Sequence, residues 1–182
     1  MLKRILLCLM PLTLTACSHT PVSQYASLEP KFDLFEYFAG NTQAWGQFQN
    51  RSGELVRRFT VDITGTVSRT EDGLPQLILD ERFVYDDGER QTRIWTIVET
   101  APNQYRGQAG DVIGFARGES AGPALNWQYT LDLPYQDSTL HVQFDDWMYL
   151  QDATTLINRA EVTKWGFKVG EVTLFFRKGG SA

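Results

Sequence analysis

Leu125-Asn126-Trp127-Gln128-Tyr129-Thr130-Leu131-Asp132-Leu133 is the stretch whose reading decides the fold. Its odd positions are apolar or aromatic, and its even positions carry Asn, Gln, Thr and Asp. Successive side chains on a strand point to opposite faces, so this period of two describes a strand with one buried face. Leu55 to Ile63 repeats the pattern: Phe59, Val61 and Ile63 stand against Arg58, Thr60 and Asp62, and Arg57 extends the apolar series. Leu140 to Leu150, Thr154 to Lys164 and Gly170 to Arg177 supply the last strands. Turn signals recur at Arg51-Ser52-Gly53, Glu71-Asp72-Gly73, Asp87-Gly88, Ala101-Pro102-Asn103, Ser120-Ala121-Gly122-Pro123, Pro134-Tyr135-Gln136-Asp137 and Val169-Gly170. Short alternating runs between such turns are the all-β pattern. The expected fold is one antiparallel barrel of about eight to ten strands, which has no open edge and can hold one ligand. A short N-terminal helical turn over Leu34-Phe35-Glu36-Tyr37-Phe38, or a lid, precedes it.

The start of the chain reads differently. Met1-Leu2-Lys3-Arg4 is basic, Ile5 to Leu14 is an apolar run broken by Pro11 and Thr13, and Leu14-Thr15-Ala16-Cys17 closes it. A run of this length is a secretory signal, since a membrane span needs about 20 apolar residues. The closing tetrapeptide resembles the bacterial lipobox, in which the cysteine thiol becomes a diacylglycerol thioether before cleavage. The expected organisation is a lipoprotein signal peptide over 1–16, a lipidated tether over 17–29 and a β-barrel domain over 30–182. Acyl chains contribute ~0.8 kcal/mol per buried methylene, so two or more hold a protein stably on a membrane. Ser18 stands where an Asp would favour inner-membrane retention. The expected address is therefore the outer membrane, lipid-anchored and facing the periplasm.

Composition narrows the chemistry. The chain has 182 residues, and without its first sixteen there is one domain's worth of sequence. Its two cysteines are Cys8, in the signal, and Cys17, leaving no thiol in the barrel for a disulfide, nucleophile or metal. Seventeen basic residues less Lys3 and Arg4 face 22 acidic ones, a formal charge of −7 for the mature chain. Such a domain has no electrostatic footprint for nucleic acid. His19 and His141 are the only histidines, too few for an imidazole-rich zinc site. No cofactor and no metal are expected.

Phe38-Ala39-Gly40, Ala44-Trp45-Gly46, Arg57-Arg58-Phe59-Thr60-Val61, Phe83-Val84-Tyr85-Asp86-Asp87-Gly88-Glu89 and Arg93-Ile94-Trp95 form an ordered series. It continues through Tyr129-Thr130-Leu131-Asp132-Leu133, Phe144-Asp145-Asp146-Trp147-Met148, Leu156-Ile157-Asn158-Arg159-Ala160 and Gly170-Glu171-Val172. Together with the lipobox this series resembles the family of small bacterial lipoproteins called domain of unknown function 3833. The resemblance implies a lipocalin-like, or calycin-like, barrel. It implies no activity, because the family has none established.

Several residues carry possible chemistry. Asp145 and Asp146 are neighbours on a strand, so they point to opposite faces and cannot act on one atom. With Asp87 and Gly88 as a two-residue loop, Arg82 would face Arg93, Asp80 would face Trp95, and Glu81 would lie opposite Ile94 between Leu79 and Phe83. Either face then brings charge into an apolar sheet, as a structural ion cluster or as an arginine reading a ligand's carboxylate or phosphate. Arg57 either snorkels at the barrel mouth or receives an anionic head group. Trp45, Trp95, Trp127, Tyr129, Phe144 and Trp147 read as core, or as a wall around an acyl chain. His141 lacks a Gly-x-Ser-x-Gly serine and a second histidine. Gly107, Gly110 and Gly114 have no Lys-Ser/Thr after them to make a phosphate loop.

The leading expectation is a binding module that holds a lipid, a fatty acid or another apolar molecule for envelope maintenance or lipid handling. Phe59, Phe83, Trp95, Trp127, Tyr129 and Phe144 would form its wall, and Arg57 and Arg93 its polar contacts. The alternatives are an isomerase-like or cyclase-like enzyme acting on a modified lipid, using Glu81 or Asp145 with Arg93, and a structural lipoprotein with a filled core.

Overall fold

The computed structural model describes residues 20–135 and 138–179. The expected signal peptide and the lipidation site Cys17 lie outside the described residues. Ten strands follow one another in chain order: β1 (Gly40–Asn50), β2 (Leu55–Arg69), β3 (Pro75–Tyr85), β4 (Arg90–Ala101), β5 (Gln104–Gln108), β6 (Ala116–Ala121), β7 (Ala124–Tyr135), β8 (Ser138–Leu150), β9 (Thr155–Lys164) and β10 (Phe167–Lys178). Each pairs antiparallel with the next, and β10 pairs back onto β1, so the sheet closes. The fold is the closed all-β barrel that the alternation predicts, and the lipocalin-like one that the resemblance implies, at the upper end of the expected strand number.

Alternation sets which side chains fill the barrel. On β7, Leu125, Trp127 and Leu131 are buried and Gln128 is exposed. On β2, Val61 and Ile63 are buried between exposed Thr60, Asp62 and Thr64. Trp127 needs space inside the wall, and two glycines give it. A Cβ on Gly118 would sit 2.1 Å from the indole, and one on Gly107 2.5 Å from it, so only the bare backbone lets the ring lie flat there.

One end of the barrel is stoppered. Asp33 caps α1 (Leu34–Phe38), its Oδ1 accepting from the Glu36 N–H at 2.9 Å. Leu34, Tyr37 and Phe38 of this single turn are buried. The Tyr37 hydroxyl donates to the Thr154 carbonyl at 2.8 Å and Lys178 Nζ to the Glu36 carbonyl, which pins the turn across the β8–β9 end. Residues 20–29, read from sequence as part of a tether, lie on the barrel rather than off it. Val22 is buried in a 3-10 turn (Val22–Tyr25), and the Tyr25 ring meets Trp147 and Tyr149 edge-on at 6.0 and 5.8 Å. The sequence is polar there and shows no period, but one valine and one tyrosine suffice to dock it.

The β3–β4 hairpin corrects the expected register by one residue. Its loop is Asp86-Asp87-Gly88, not Asp87-Gly88 alone: the Tyr85 N–H reaches the Glu89 carbonyl at 2.9 Å, and the Gly88 N–H reaches the Tyr85 carbonyl at 3.0 Å. Gly88 has φ +87°, the left-handed position of a three-residue hairpin loop. Asp87 Oδ1 also accepts the Glu89 N–H, favouring the longer loop. Glu81 therefore faces Arg93, Leu79 faces Trp95, and Arg82 faces Thr92. Glu81 and Arg93 share the interior phase with Leu79, Phe83 and Trp95. Arg82 stays outside, paired with Asp80 at 3.2 Å.

Candidate binding site

The interior is not filled. A cavity of about 800 Å³ runs from Leu34 and Phe38 of the stopper to Val56, Arg57, Pro134 and Leu140 at the far end. That volume is in the range of small-molecule sites. All eight side chains expected from sequence to face a ligand line this one space: Phe59, Phe83, Trp95, Trp127, Tyr129, Phe144, Arg57 and Arg93. Two other aromatics read as core do not. Trp45 is 43% exposed and lies against Phe175 on the outside, while Trp147 stacks on Tyr149 beneath Tyr25. Both occupy the outward phase of their strands.

The wall is aromatic and ordered by ring contacts. Tyr129 stacks on Phe144 at 5.0 Å, and Trp95 meets the Tyr129 and Trp127 rings edge-on at 5.4 and 5.8 Å. Phe83 stacks on Tyr85 at 6.1 Å. At the mouth the Arg57 guanidinium lies 3.6 Å above the Tyr85 ring, and its Nη2 donates to Asp87 and Glu89 at 2.6 Å each. The β3–β4 loop thus supplies Arg57 with two carboxylates.

A polar belt crosses the apolar space. Arg93 Nε and Nη2 donate to both oxygens of Asp111, at 3.0 and 2.6 Å for Oδ2. Asp111 lies in the β5–β6 loop, where its carbonyl accepts the Asp132 N–H and the Ile113 N–H reaches the Thr130 carbonyl. Those bonds to β7 aim its carboxylate at Arg93. The Trp95 indole beside Glu81 favours the charged form of its carboxyl slightly. On the opposite wall, Asp146 accepts from Asn158 Nδ2 and, at 3.5 Å, from the Tyr129 hydroxyl. Asp145, named from sequence as a possible acid, points outward and bonds Asn126 at 2.7 Å. Its neighbour Asp146 is the inward one, in phase with Val142, Phe144 and Met148.

Burial governs the charge of these groups. It raises the Glu81 carboxyl from 4.5 to about 7; Arg93 pulls it down, and Asp111 and Asp146 push it further up. Burial raises Asp146 from 3.8 to about 7 against the lowering effect of the Asn158 and Tyr129 hydrogen bonds. The Tyr129 phenol is driven well above its ordinary value, first by burial and then by Asp146. Burial works against the Arg93 cation, but Glu81 and Asp111 more than offset it. His141 is outside, 3.1 Å from Asp132. Among the described residues no group of three or more His, Cys, Asp or Glu is placed to hold a metal.

A closed antiparallel barrel with one stoppered end and an aromatic interior defines the chain as a lipocalin-like protein. It belongs to the family described as "Protein of unknown function (DUF3833)", which matches residues 11–178. No curated protein matches it in sequence. Among solved structures it is similar to the S-type phycobiliprotein lyase CPES from Guillardia theta, with a TM-score of 0.61 and 9% identity over 81% of this chain and 92% of that one. At that identity the likeness is one of fold.

Proposed function

We propose that this protein is a binding module of the bacterial envelope. It is anchored through acylated Cys17 to the periplasmic face of the outer membrane and holds a lipid or another apolar small molecule inside its barrel. The observation that carries the proposal is the cavity of about 800 Å³ with its aromatic wall. A void of that size forfeits dispersion contacts on every side unless something occupies it. Leu14-Thr15-Ala16-Cys17 supports the anchor, and Ser18 the address. A displaceable neutral fluorescent probe and native mass spectrometry of the purified protein test the binding. The expected result is a copurified small molecule and saturable probe uptake. A clean apo mass together with no uptake would refute it.

Two ionisable groups favour a second reading. Glu81 and Asp146 stand near neutral pKa inside the cavity, where a carboxyl can both give and take a proton. An isomerase-like activity on a bound lipid would use them in place of Asp145. Incubation with candidate lipids separates the readings: unchanged ligand recovered after long incubation supports carriage, and a rearranged one supports catalysis.

A further inference from the structure

Resting on the reading of the barrel as a binding module, we infer that its occupant is an amine: an apolar body bearing one protonated nitrogen, seated between Glu81 and Asp146 among the rings of Trp95 and Tyr129. The sequence alone suggested the opposite, a fatty acid read by Arg93. The geometry reverses that preference, because Arg93 already has its acid. Its Nε and Nη2 are engaged by both oxygens of Asp111, and Glu81 faces it across the β3–β4 ladder. Arg57, the other cation lining the space, stays at the mouth, where Asp87 and Glu89 share its Nη2 while its Nε is buried without a partner among the described residues. At Arg93 a ligand carboxylate would have to displace Asp111.

Acids outnumber the guanidinium in the belt. Glu81 and Asp146 line the cavity with Arg93, whose charge Asp111 already meets from the β5–β6 loop. Asp146 is 7% exposed, and its side-chain donors among the described residues, Asn158 and Tyr129, are neutral. Glu81 lies beside the neutral Trp95 indole and shares Arg93, the cation facing it, with Asp111. These two carboxyls mark the ends of one belt, Glu81–Trp95–Tyr129–Asp146, in which Trp95 and Tyr129 touch edge-on at 5.4 Å. Carboxylates flanking aromatic faces are the chemistry that recognises an ammonium group, through charge pairing and cation–π attraction together. Burial raises both carboxyls to about 7, so each gains its charge across the neutral range.

The test compares three ligands of one chain length, decylamine, decanol and decanoate, by displacement of a neutral fluorescent probe from the purified protein. At pH 8 the amine should bind at least tenfold more tightly than the acid. Between pH 5.5 and 8 its affinity should rise at least fivefold. Glu81 and Asp146 ionise over that interval beside Arg93, Asp111 and the neutral Tyr129 and Tyr85, while an alkylamine stays protonated. The pH series needs no variant. The paired substitution Glu81→Gln with Asp146→Asn should cost the amine tenfold or more and leave decanol within twofold. Decanoate binding as tightly as decylamine, or amine affinity indifferent to pH, would overturn the assignment while leaving the binding module standing. Failure of all three ligands and of the probe would remove the module itself. In native mass spectra, an amine of lipid mass and a smaller amine both support the assignment and separate a membrane source from a soluble one. A bound carboxylic acid overturns it.

Discussion

Glu81→Gln should make the empty barrel more stable at pH 8 and leave it unchanged at pH 4. Glutamine keeps the side chain's shape, and it stands in for the protonated acid. Burial raises the Glu81 carboxyl from 4.5 to about 7. A folded-state pKa above the unfolded value means that the folded protein holds the proton more tightly. The corresponding stability is complete below about pH 4.5 and is lost as pH climbs through 7. At 1.36 kcal/mol per pH unit the interval from 4.5 to 7 is worth about 3 kcal/mol. Urea unfolding of ligand-stripped protein at pH 4, 6 and 8 measures it. The wild type should lose that amount relative to the variant between the first and last pH, most of it by pH 7. Parallel curves for the two proteins, or a variant less stable than wild type at pH 8, would refute the placement of an ionisable group inside the cavity.

Trp127→Ala should cost about 3–5 kcal/mol in thermal or urea unfolding. The ring is 4% exposed and seated against Gly107 and Gly118, and the enlarged cavity should also hold a neutral probe less tightly. Gly88→Val should destabilise by at least ~1 kcal/mol, because φ +87° is strained for any side chain and most for a β-branched one. No atom lies within 4 Å of a Cβ there, so the loss would be purely conformational, and an unchanged unfolding midpoint would speak against the three-residue loop. Cys17→Ala should abolish incorporation of a palmitate analogue in cells, and a labelled mutant would move the lipidation site elsewhere.

Strand alternation made most of the barrel legible, because a period of two survives in sequence wherever one face is buried. Phe59 and Trp127 could be placed on the inner wall for that reason alone. The same rule held a signal for the polar belt. Glu81 interrupts the series Leu77, Leu79, Phe83; Asp146 interrupts Val142, Phe144, Met148; and Asn158 interrupts Leu156, Ala160, Val162. A polar residue in apolar phase is the mark of an interior group, and by that mark Asp146, not Asp145, is the inward acid. What could not be read was the loop chemistry. One extra residue in the β3–β4 turn decides that Glu81 rather than Arg82 faces Arg93, and an Asp-Gly pair fits both loop lengths. Asp111 was hidden for a related reason. It lies in an irregular loop with no period, and the bonds that aim it at Arg93 come from β7, distant in sequence.

The energy held in the belt also bears on why the barrel is hollow. By the linkage used for Glu81, raising Asp146 from 3.8 to about 7 withholds about 4 kcal/mol at neutral pH. The two carboxyls interact, so their effects do not simply add. Together they still amount to a large part of the 5–15 kcal/mol that stabilises an ordinary domain. Leucine or methionine at either position would remove the penalty and fill part of the void. A protein whose barrel served only as a scaffold gains nothing from acids there. A protein that takes up a cation recovers the stability on binding, because the occupant supplies the charge that Asn158, Tyr129 and Trp95 do not. Instability of the empty form and affinity for the ligand are then two readings of the same buried carboxyls, and above pH 7 the first should be greatest where the second is strongest.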